Sequence, residues 1–384
     1  MLKKFTVRNY KNFKEEIGID FSNTAGYQFS TDCIYEGIIS KMLIYGRNAT
    51  GKTNLGRALT DIRFTLSGLP RHIDEGTFLN ADSKEEAAVF SYEFVFEGRP
   101  LLYQYARLSN LELQWEKLIV DHETIFEWDF LSRIFKFKNL EYIGAETANI
   151  GRYIMSLDEE KDTEDMTEST LPFLRWLLSN VALENDSILI RLASYVRGMM
   201  VISAGNAMRF PMRRIYDIFF ETLENDEKLK DLEDFLNAMG VECRLILETL
   251  PDGKKELYFS HEKLVPFFET ASSGTRALFD LYRRLFPSVG NPSFIYLDEF
   301  DAFYHYEMAE NVIRFFKRKY PKCQIIMTSH NTNLMTNRLM RPDCLFVLSG
   351  AGTLTALCNA TERELREGHN LEKMYISGEF EQYE

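Results

Sequence analysis

Residues 46–53 combine two glycines, a lysine and a threonine at a spacing that suits phosphate binding. They fit the pattern G-x-x-x-x-G-K-[ST]. The glycines let backbone N–H groups curl around phosphates, Lys52 can reach the β- and γ-phosphates, and the Thr53 hydroxyl can bind Mg²⁺. The candidate nucleotide-binding residues are therefore Gly46, Arg47, Asn48, Ala49, Thr50, Gly51, Lys52 and Thr53.

A second candidate feature is a pair of acids that directly follows an apolar run, Phe294–Leu297. Asp298, at the end of a buried strand, can hold Mg²⁺, and Glu299 can orient and deprotonate an attacking water. Buried strands often end in acids at the solvent boundary, so the pair alone fits a structural role equally well. Together with the phosphate loop it indicates nucleotide hydrolysis.

Two further polar groups lie at the ends of predicted elements. A predicted helix opens with Ser272, Ser273, Gly274 and Thr275. These residues can form either an N-cap or a second anion site. Nothing in the sequence places that site beside the chain's own phosphate loop, whereas a facing subunit could. His330 follows an apolar strand, where a histidine is usually structural but can sense a γ-phosphate, and Asp301 could couple subunits.

A parallel α/β framework is needed to bring these residues together. A short apolar run at 42–45 predicts a buried strand before the phosphate loop. After the loop, one helical face carries Leu55, Leu59, Ile62 and Leu66. From residue 270 onward, helical patterns (275–286, 308–319) alternate with apolar strands (294–297, 325–327, 344–348), which is typical of a parallel sheet.

The remaining segments have a mixed pattern. The sequence predicts strands at 3–8, 17–21, 242–250 and 256–260, and a hairpin that joins 89–97 to 101–105. It predicts helices across 170–239, with no long heptad run. The acidic stretch 157–168 is predicted to be a solvated loop.

Composition limits the classes of function. The chain has 384 residues and a net charge of −13, which disfavours a protein that coats nucleic acid with its whole surface. Local basic clusters at Arg209–Arg214 and Arg314–Lys319 leave nucleic-acid contact open. Five scattered cysteines without a CxxC pair, no signal peptide and no apolar run of membrane-spanning length predict a cytoplasmic protein.

The order of these features resembles the ATP-binding-cassette ATPases, in the branch that contains SMC, RecF and OLD proteins. The opening segment Phe5–Phe13 is similar to that branch's first strand, and so is Gly51–Asn54, which adds Asn54 to the nucleotide-binding residues. The resemblance implies ATP as the nucleotide, a catalytic role for Glu299 and His330, and Mg²⁺ held by Thr53 and Asp298. It further implies that residues 272–275 are a signature motif that acts on a facing subunit.

The fold implied by this resemblance is α/β: an ABC-ATPase head, a P-loop NTPase whose mixed β-sheet has flanking helices. An inserted β-hairpin and a helical lobe would be added, without a long coiled coil. The predicted ATPase core covers 1–70 and 255–384, a β-rich subdomain covers 71–130, and a mainly helical insert covers 131–254. Gln104 is the candidate for the glutamine that contacts Mg²⁺ in this family.

A narrower resemblance is to stand-alone ATPases of bacterial anti-phage and abortive-infection systems, AbiL-like and PARIS AriA-like. It is carried by Ser272–Arg276, Asp298–His305 and Asn370–Phe380. It implies an ATP-hydrolysing switch that forms a head-to-tail homodimer or a higher oligomer. Such a switch would control a separately encoded effector, a nuclease, and would not involve a membrane.

Two alternatives remain open from the sequence. One is a RecF-like DNA-binding ATPase of repair or recombination. The other is a nuclease in its own right, like the OLD proteins. Against the nuclease, the 54 residues after His330 contain no Asp-x-Asp pair for two metals and are too few for a Toprim domain. Arg363 and His369 fit only the loose spacing of HEPN ribonucleases.

Overall fold

The computed structural model describes residues 1–68, 78–159, 170–204, 219–285 and 291–383. Residues 160–168 of the predicted acidic loop and the basic cluster Arg209–Arg214 lie outside these residues. Residues 157–159 are the end of a helix, so the loop prediction is wrong for them. The strands are β1 Leu2–Arg8, β2 Ile17–Asp20, β3 Ile34–Tyr35, β4 Ile38–Ile39, β5 Lys41–Tyr45, β6 Ala88–Phe96, β7 Arg99–Arg107, β8 Leu113–Val120, β9 Glu123–Asp129, β10 Ile134–Phe137, β11 Met199–Ser203, β12 Leu245–Thr249, β13 Lys255–Ser260, β14 Leu264–Pro266, β15 Phe294–Asp298, β16 Gln324–Ser329, β17 Leu345–Leu348 and β18 Leu354–Ala356. The α-helices are α1 Lys52–Leu59, α2 Asp61–Ser67, α3 Ile150–Glu159, α4 Phe173–Asn180, α5 Ile188–Arg197, α6 Asp226–Ala238, α7 Phe267–Thr270, α8 Ser273–Leu285, α9 Tyr306–Lys319 and α10 Leu371–Ile376.

A six-stranded sheet carries the segments that could do chemistry. Its strand order is β11-β15-β16-β5-β17-β18, in which β18 is antiparallel and the other strands are parallel. Every residue of β5, β15, β16 and β17 is buried, as expected for parallel strands covered on both faces. This mixed sheet with flanking helices confirms the predicted α/β fold class. Within the described ranges the longest helix, α9, has 14 residues, so these ranges hold no long coiled coil.

The parallel pairing places three strand ends at one edge of this sheet. Ser329 of β16 pairs with Tyr45 of β5, and Leu297 of β15 pairs with Met327 of β16. The phosphate loop, the acid pair and His330 therefore leave the sheet side by side. Their common edge is the carboxyl edge, where open parallel sheets bind ligands.

The helical segment after the phosphate loop is divided into α1 and α2, which meet at Thr60. The Thr60 hydroxyl donates to the Gly56 carbonyl at 2.9 Å, a bond that tends to bend helices. The four apolar positions predicted to share a face are all buried: Leu55, Leu59, Ile62 and Leu66. The predicted buried face is therefore confirmed, although the helix is interrupted in the middle.

The second large sheet is antiparallel and has the order β10-β9-β8-β7-β6-β1-β2. It contains the predicted N-terminal strands as β1 and β2 and the predicted hairpin as β6 and β7. Buried hydrogen bonds tie it to the helices after the phosphate loop: the Tyr92 hydroxyl donates to the Ala58 carbonyl, and the Tyr105 hydroxyl to the Asp61 carboxylate, both at 2.7 Å. The antiparallel sheet thus fixes the position of α1 and α2.

One strand occurs where the sequence predicts only helices. β11 lies within the predicted helical segment 170–239 and pairs in parallel with β15 at the edge of the six-stranded sheet. The run Met199–Ile202 is short, and its flanking helices mask it as a strand in a periodicity analysis. Gly198 before it lies against Ser293, where an added Cβ would be 2.8 Å from the serine hydroxyl. The prediction of helix is therefore wrong for 199–203.

The remaining expectations concern the hairpin at 242–260 and the membrane. β12 and β13 form the predicted antiparallel pair, with Thr249 opposite Lys255.

None of the helices in the described part of the chain combines the length and apolar character needed to cross a bilayer. All five cysteines are free thiols. The domain boundaries remain predictions.

Candidate functional site

The phosphate loop runs from the end of β5 to the start of α1. Ala49 and Gly51 both adopt left-handed backbone conformations, with φ of 66° and 102°. Gly51 immediately precedes α1 and has no side chain to cap the helix. The N-terminal amides of α1 therefore face the loop, where they and the helix dipole favour an anion.

Lys52 lies at the centre of this loop. Its side-chain ammonium donates to the carbonyls of Gly46 at 2.7 Å and Arg47 at 3.0 Å. Lys52 is only 5% exposed. Burial lowers the pKa of Lys52, and the nearby carboxylates of Glu299 and Asp298 oppose this shift. The Lys52 ammonium can therefore exchange its hydrogen bonds to backbone carbonyls for hydrogen bonds to phosphate oxygens.

The loop between β1 and β2 supports the phosphate loop, a role that the sequence did not indicate. The Asn12 amide donates to the Thr50 carbonyl at 3.1 Å and accepts from the Asn54 amide at 2.8 Å. A side chain at Gly51 would collide with Asn12. The only sequence signal for this contact is the position of Asn12 within the opening segment Phe5–Phe13.

Asp298 is buried beneath the site and contacts Thr53 of α1, the helix that follows the phosphate loop. Its carboxylate accepts from the Thr53 hydroxyl at 2.7 Å and from the Thr328 hydroxyl at 3.1 Å. Burial raises the pKa of Asp298, and these two hydrogen bonds act in the opposite direction. A hydroxyl and a carboxylate in contact are oxygen ligands of the kind that Mg²⁺ uses together with phosphates and waters. The residues present therefore fit Mg²⁺.

Glu299 and His330 face each other in an open pocket beside Asp298. The His330 Nε2 atom lies 3.5 Å from the Glu299 Oε1 atom, and their side chains are 40% and 45% exposed. Glu299 adopts a left-handed conformation with φ of 49°. The pocket is lined by Asn48, Glu299, Asp301, Ala302, His330 and Asn331. The structure thus brings the phosphate loop, the acids and the histidine to one place.

Asp301 is held at the rim of the same pocket. Its carboxylate accepts from the Ser329 hydroxyl at 2.7 Å. Burial raises the pKa of Asp301, and that hydrogen bond together with the proximity of His330 acts against the shift. The Ser329 hydroxyl in turn accepts a hydrogen bond from the backbone N–H of Asn331 at 2.8 Å. Asp301 is therefore fixed by the strand that carries His330.

The signature residues open α8 and are absent from the lining of this pocket. Ser272 accepts from the Thr275 amide at 3.1 Å, so it caps the helix start. Ser272 and Ser273 are exposed, while Gly274 packs where an added Cβ would lie 2.8 Å from the Phe303 carbonyl. The Ser272 hydroxyl also contacts the Thr275 hydroxyl at 2.9 Å, so Ser273 is the exposed serine of the pair for which no such contact within the helix start is seen among the described residues.

Gln104 lies away from the pocket. Its amide donates to the Ser91 hydroxyl at 3.0 Å, within the antiparallel sheet. These two residues pair across β6 and β7 and do not line the pocket beside Glu299. The structure therefore gives no contact that supports Gln104 as a ligand of the site.

Two of the four basic residues in the cluster Arg314–Lys319 form close ion pairs with acids. Arg314 pairs with Glu310 at 2.5 Å, and Lys317, whose side chain is 6% exposed, pairs with Asp32 at 2.8 Å. A nucleic-acid surface requires cations that are free to meet phosphates. The observed pairing favours a structural role for Arg314 and Lys317, while Arg318 and Lys319 are exposed.

Several solved structures share similarity with the chain. An Smc head bound to the C-winged helix domain of ScpA is 14% identical, with a TM-score of 0.49, and the match covers 93% of this chain and 97% of that chain. An SMC head domain from Thermotoga maritima is 13% identical, with a TM-score of 0.44, over 92% of this chain and 98% of that chain. An Smc head domain with an extended coiled coil, bound to the C-terminal domain of ScpA derived from Pyrococcus furiosus, is 15% identical, with a TM-score of 0.44, over 99% of each chain.

A comparison of the amino-acid sequence with known proteins and family models identifies the family of this chain. No curated protein matches the chain significantly. A family model described as "AAA domain, putative AbiEii toxin, Type IV TA system" matches residues 41–336, which is more than half of the chain and includes the phosphate loop, the acid pair and His330. This agrees with the predicted resemblance to ATPases of abortive-infection systems. The chain belongs to this AAA-domain family.

Proposed function

We propose that the chain hydrolyses ATP with Mg²⁺ at a site completed by a second copy, and that it acts as a switch in anti-phage defence. The observation that carries the proposal is the meeting of the phosphate loop with two acids of different environment. Asp298 is buried and bonded to Thr53, whereas Glu299 is half exposed and faces an open pocket. One acid is thereby suited to a metal and the other to a water.

The residues divide the chemistry between them. Lys52 and the amides at the start of α1 bind the phosphates and offset their charge. Thr53 and Asp298 would hold Mg²⁺, which supplies charge stabilisation on the phosphate oxygens. Glu299 orients a water and takes its proton, and His330, 3.5 Å away, is placed to contact both Glu299 and the γ-phosphate region.

The position of the signature residues supports the proposed homodimer. Ser272 and Ser273 are exposed and do not line the pocket, which is itself open. The backbone N–H groups at the start of a helix are suited to an anion. In a head-to-tail dimer each copy would place these residues over the other's phosphate loop, with Asp301 at the pocket rim close to the contact between copies.

Mixing two inactive variants tests the shared site. Lys52→Ala damages the phosphate loop, and Ser273→Arg adds a bulky charge at an exposed signature position. Ser273 is substituted and Gly274 is not, because a Cβ added at Gly274 would clash with the Phe303 carbonyl. In a mixed dimer one site carries both changes and the other carries none. An equal mixture should therefore recover about one quarter of wild-type ATPase activity, measured as phosphate release.

Two controls make the mixing experiment decisive. Energy transfer between donor-labelled Lys52→Ala protein and acceptor-labelled Ser273→Arg protein reports exchange of subunits, and each variant alone gives the background activity. Recovery well above both backgrounds supports a site shared by two copies. Subunit exchange without recovery would contradict it, as would full turnover by a species that remains monomeric with ATP in sedimentation velocity.

Control of a separate effector is the second part of the proposal. The description of this chain's family includes the words "putative AbiEii toxin, Type IV TA system", which supports a role in defence. Each member of the candidate HEPN pair has a polar partner of its own. The Arg363 guanidinium lies 3.5 Å from the Glu379 carboxylate, while the His369 Nδ1 atom accepts from the Arg366 amide at 3.1 Å.

The purified chain is therefore expected to cleave neither DNA nor RNA. Single- and double-stranded substrates are incubated with Mg²⁺ or Mn²⁺, with and without ATP, and are analysed on denaturing gels. Wild-type protein should match a no-protein control within error. Cleavage that co-purifies with the chain and is lost in His369→Ala would contradict the proposal and identify a nuclease site.

A further inference from the structure

Three consecutive residues at the end of β16 contact the three acids of the site. Thr328 bonds to Asp298, Ser329 bonds to Asp301, and His330 lies beside Glu299. The sequence assigns a role only to the histidine of this triplet. The hydroxyls of the other two residues each donate to a carboxylate that the proposed chemistry requires.

The Thr328 hydroxyl makes two hydrogen bonds. It donates to the Asp298 Oδ1 atom at 3.1 Å and accepts from the Glu299 amide at 2.8 Å. Thr328 is fully buried, and burial strengthens polar contacts because water does not compete. One buried hydroxyl therefore connects the candidate metal ligand to the backbone of the candidate base.

The second contact matters because Glu299 has an unusual backbone. Its φ of 49° is in the left-handed region, which residues with a Cβ seldom adopt without support. The Thr328 hydroxyl accepts from the amide of Glu299, and the Thr328 carbonyl accepts from the amide of Phe300 at 3.2 Å. Thr328 thus holds both amides that follow the metal ligand, and this sets the direction in which the Glu299 side chain leaves the sheet.

We propose that Thr328 is a positioning residue for ATP hydrolysis, which acts through Asp298 and Glu299 without touching the nucleotide. This inference rests on the proposed function. The Thr328 hydroxyl donates to Asp298 Oδ1, and Asp298 Oδ2, the atom next to Thr53, would then be the oxygen that holds Mg²⁺. At the same time it fixes Glu299 facing the pocket. Loss of the hydroxyl would weaken both metal binding and water activation while leaving the phosphate loop intact.

Thr328→Val and Thr328→Ser are the test variants. Valine has nearly the same shape without the hydroxyl, and serine keeps the hydroxyl. We expect Thr328→Val to lower kcat and to raise the Mg²⁺ concentration for half-maximal turnover, each about 10–100-fold, the usual effect of removing a residue that orients metal ligands. Binding of a fluorescent ATP analogue in EDTA should stay at the wild-type level. Thr328→Ser should remain within about threefold of wild type.

Thr65→Val is the matched control. Thr65 is also buried, and its hydroxyl contacts a buried carboxylate, Asp61 Oδ2 at 3.2 Å, outside the pocket. It should lower the melting temperature without changing kcat or the Mg²⁺ midpoint. If Thr328→Val melts below the assay temperature, Thr328→Ala replaces it under the same criteria.

The outcomes separate this inference from the proposed function. Wild-type kcat and Mg²⁺ midpoint in a folded Thr328→Val protein would overturn the role of Thr328. A parallel loss of EDTA-resistant nucleotide binding, or a Thr328→Ser protein as impaired as the valine variant, would overturn it too, because either result indicates a general packing defect. If wild type releases no phosphate, the proposed function fails. The Mg²⁺ midpoint for nucleotide binding then still tests the contact between Thr328 and Asp298.

Discussion

Replacing Glu299 by glutamine is expected to lower ATP turnover by about 100-fold or more while ATP binding stays at the wild-type level. An amide has the shape of the carboxylate but does not accept the proton of the attacking water. The side chain is half exposed, and its ion-pair contact is with His330 at 3.5 Å, so the fold should tolerate the change. Phosphate release gives the turnover, and a fluorescent ATP analogue gives the affinity.

Glu123→Gln is the matched control for this substitution. Glu123 is an exposed acid at the start of β9, outside the residues that line the pocket. Its variant should retain wild-type turnover. Hydrolysis by Glu299→Gln at the wild-type rate would show that another group takes the proton, and the assignment of Glu299 as the base would then be wrong.

Replacing Lys52 by alanine should weaken ATP binding by at least about tenfold and remove detectable turnover at low ATP concentration. A hydrogen bond to a charged group contributes roughly 1.5–3 kcal/mol, and the ammonium of Lys52 is the nearest buried cation to the loop carbonyls. Lys52→Met, which keeps most of the side-chain volume, should behave like the alanine variant. Titration with a fluorescent ATP analogue measures the affinity.

Lys41 offers a matched control for the buried lysine. It lies at the start of β5, and its ammonium donates to the carbonyls of Pro321 at 3.2 Å and Cys323 at 2.9 Å. Burial lowers the pKa of Lys41 to about 8. Lys41→Met should therefore reduce stability yet leave ATP affinity unchanged. An equal loss of ATP affinity in both methionine variants would indicate that Lys52 acts through folding alone.

Sequence reasoning was most effective where a motif fixed both residue types and spacing. The phosphate loop and the acid pair each follow an apolar run, and such runs become buried strands of a parallel sheet. The order of these strands then places Asp298, Glu299, Asp301 and His330 at one edge, as the structure shows. Local patterns were therefore enough to predict the α/β fold and the residues that gather in the pocket.

The sequence did not reveal contacts that depend on tertiary packing. Asn12 bonds to Thr50 across 38 residues, and Thr328 bonds to Asp298 across 30 residues, and neither spacing has a periodic signature. β11 was missed because pairing with β15 stabilises it more than its own composition does. The partner that we propose for the signature residues is a second copy of the chain, which the sequence of one chain does not position.

The most direct test of the central claim is phosphate release from ATP by the purified wild-type chain, with Mg²⁺ and with EDTA, beside Lys52→Ala under the same conditions. The site described above predicts release that requires Mg²⁺, saturates with ATP and falls to background in Lys52→Ala. A wild-type rate equal to that of Lys52→Ala, in protein shown by its melting curve to be folded, would contradict the assignment of this pocket as an ATPase site.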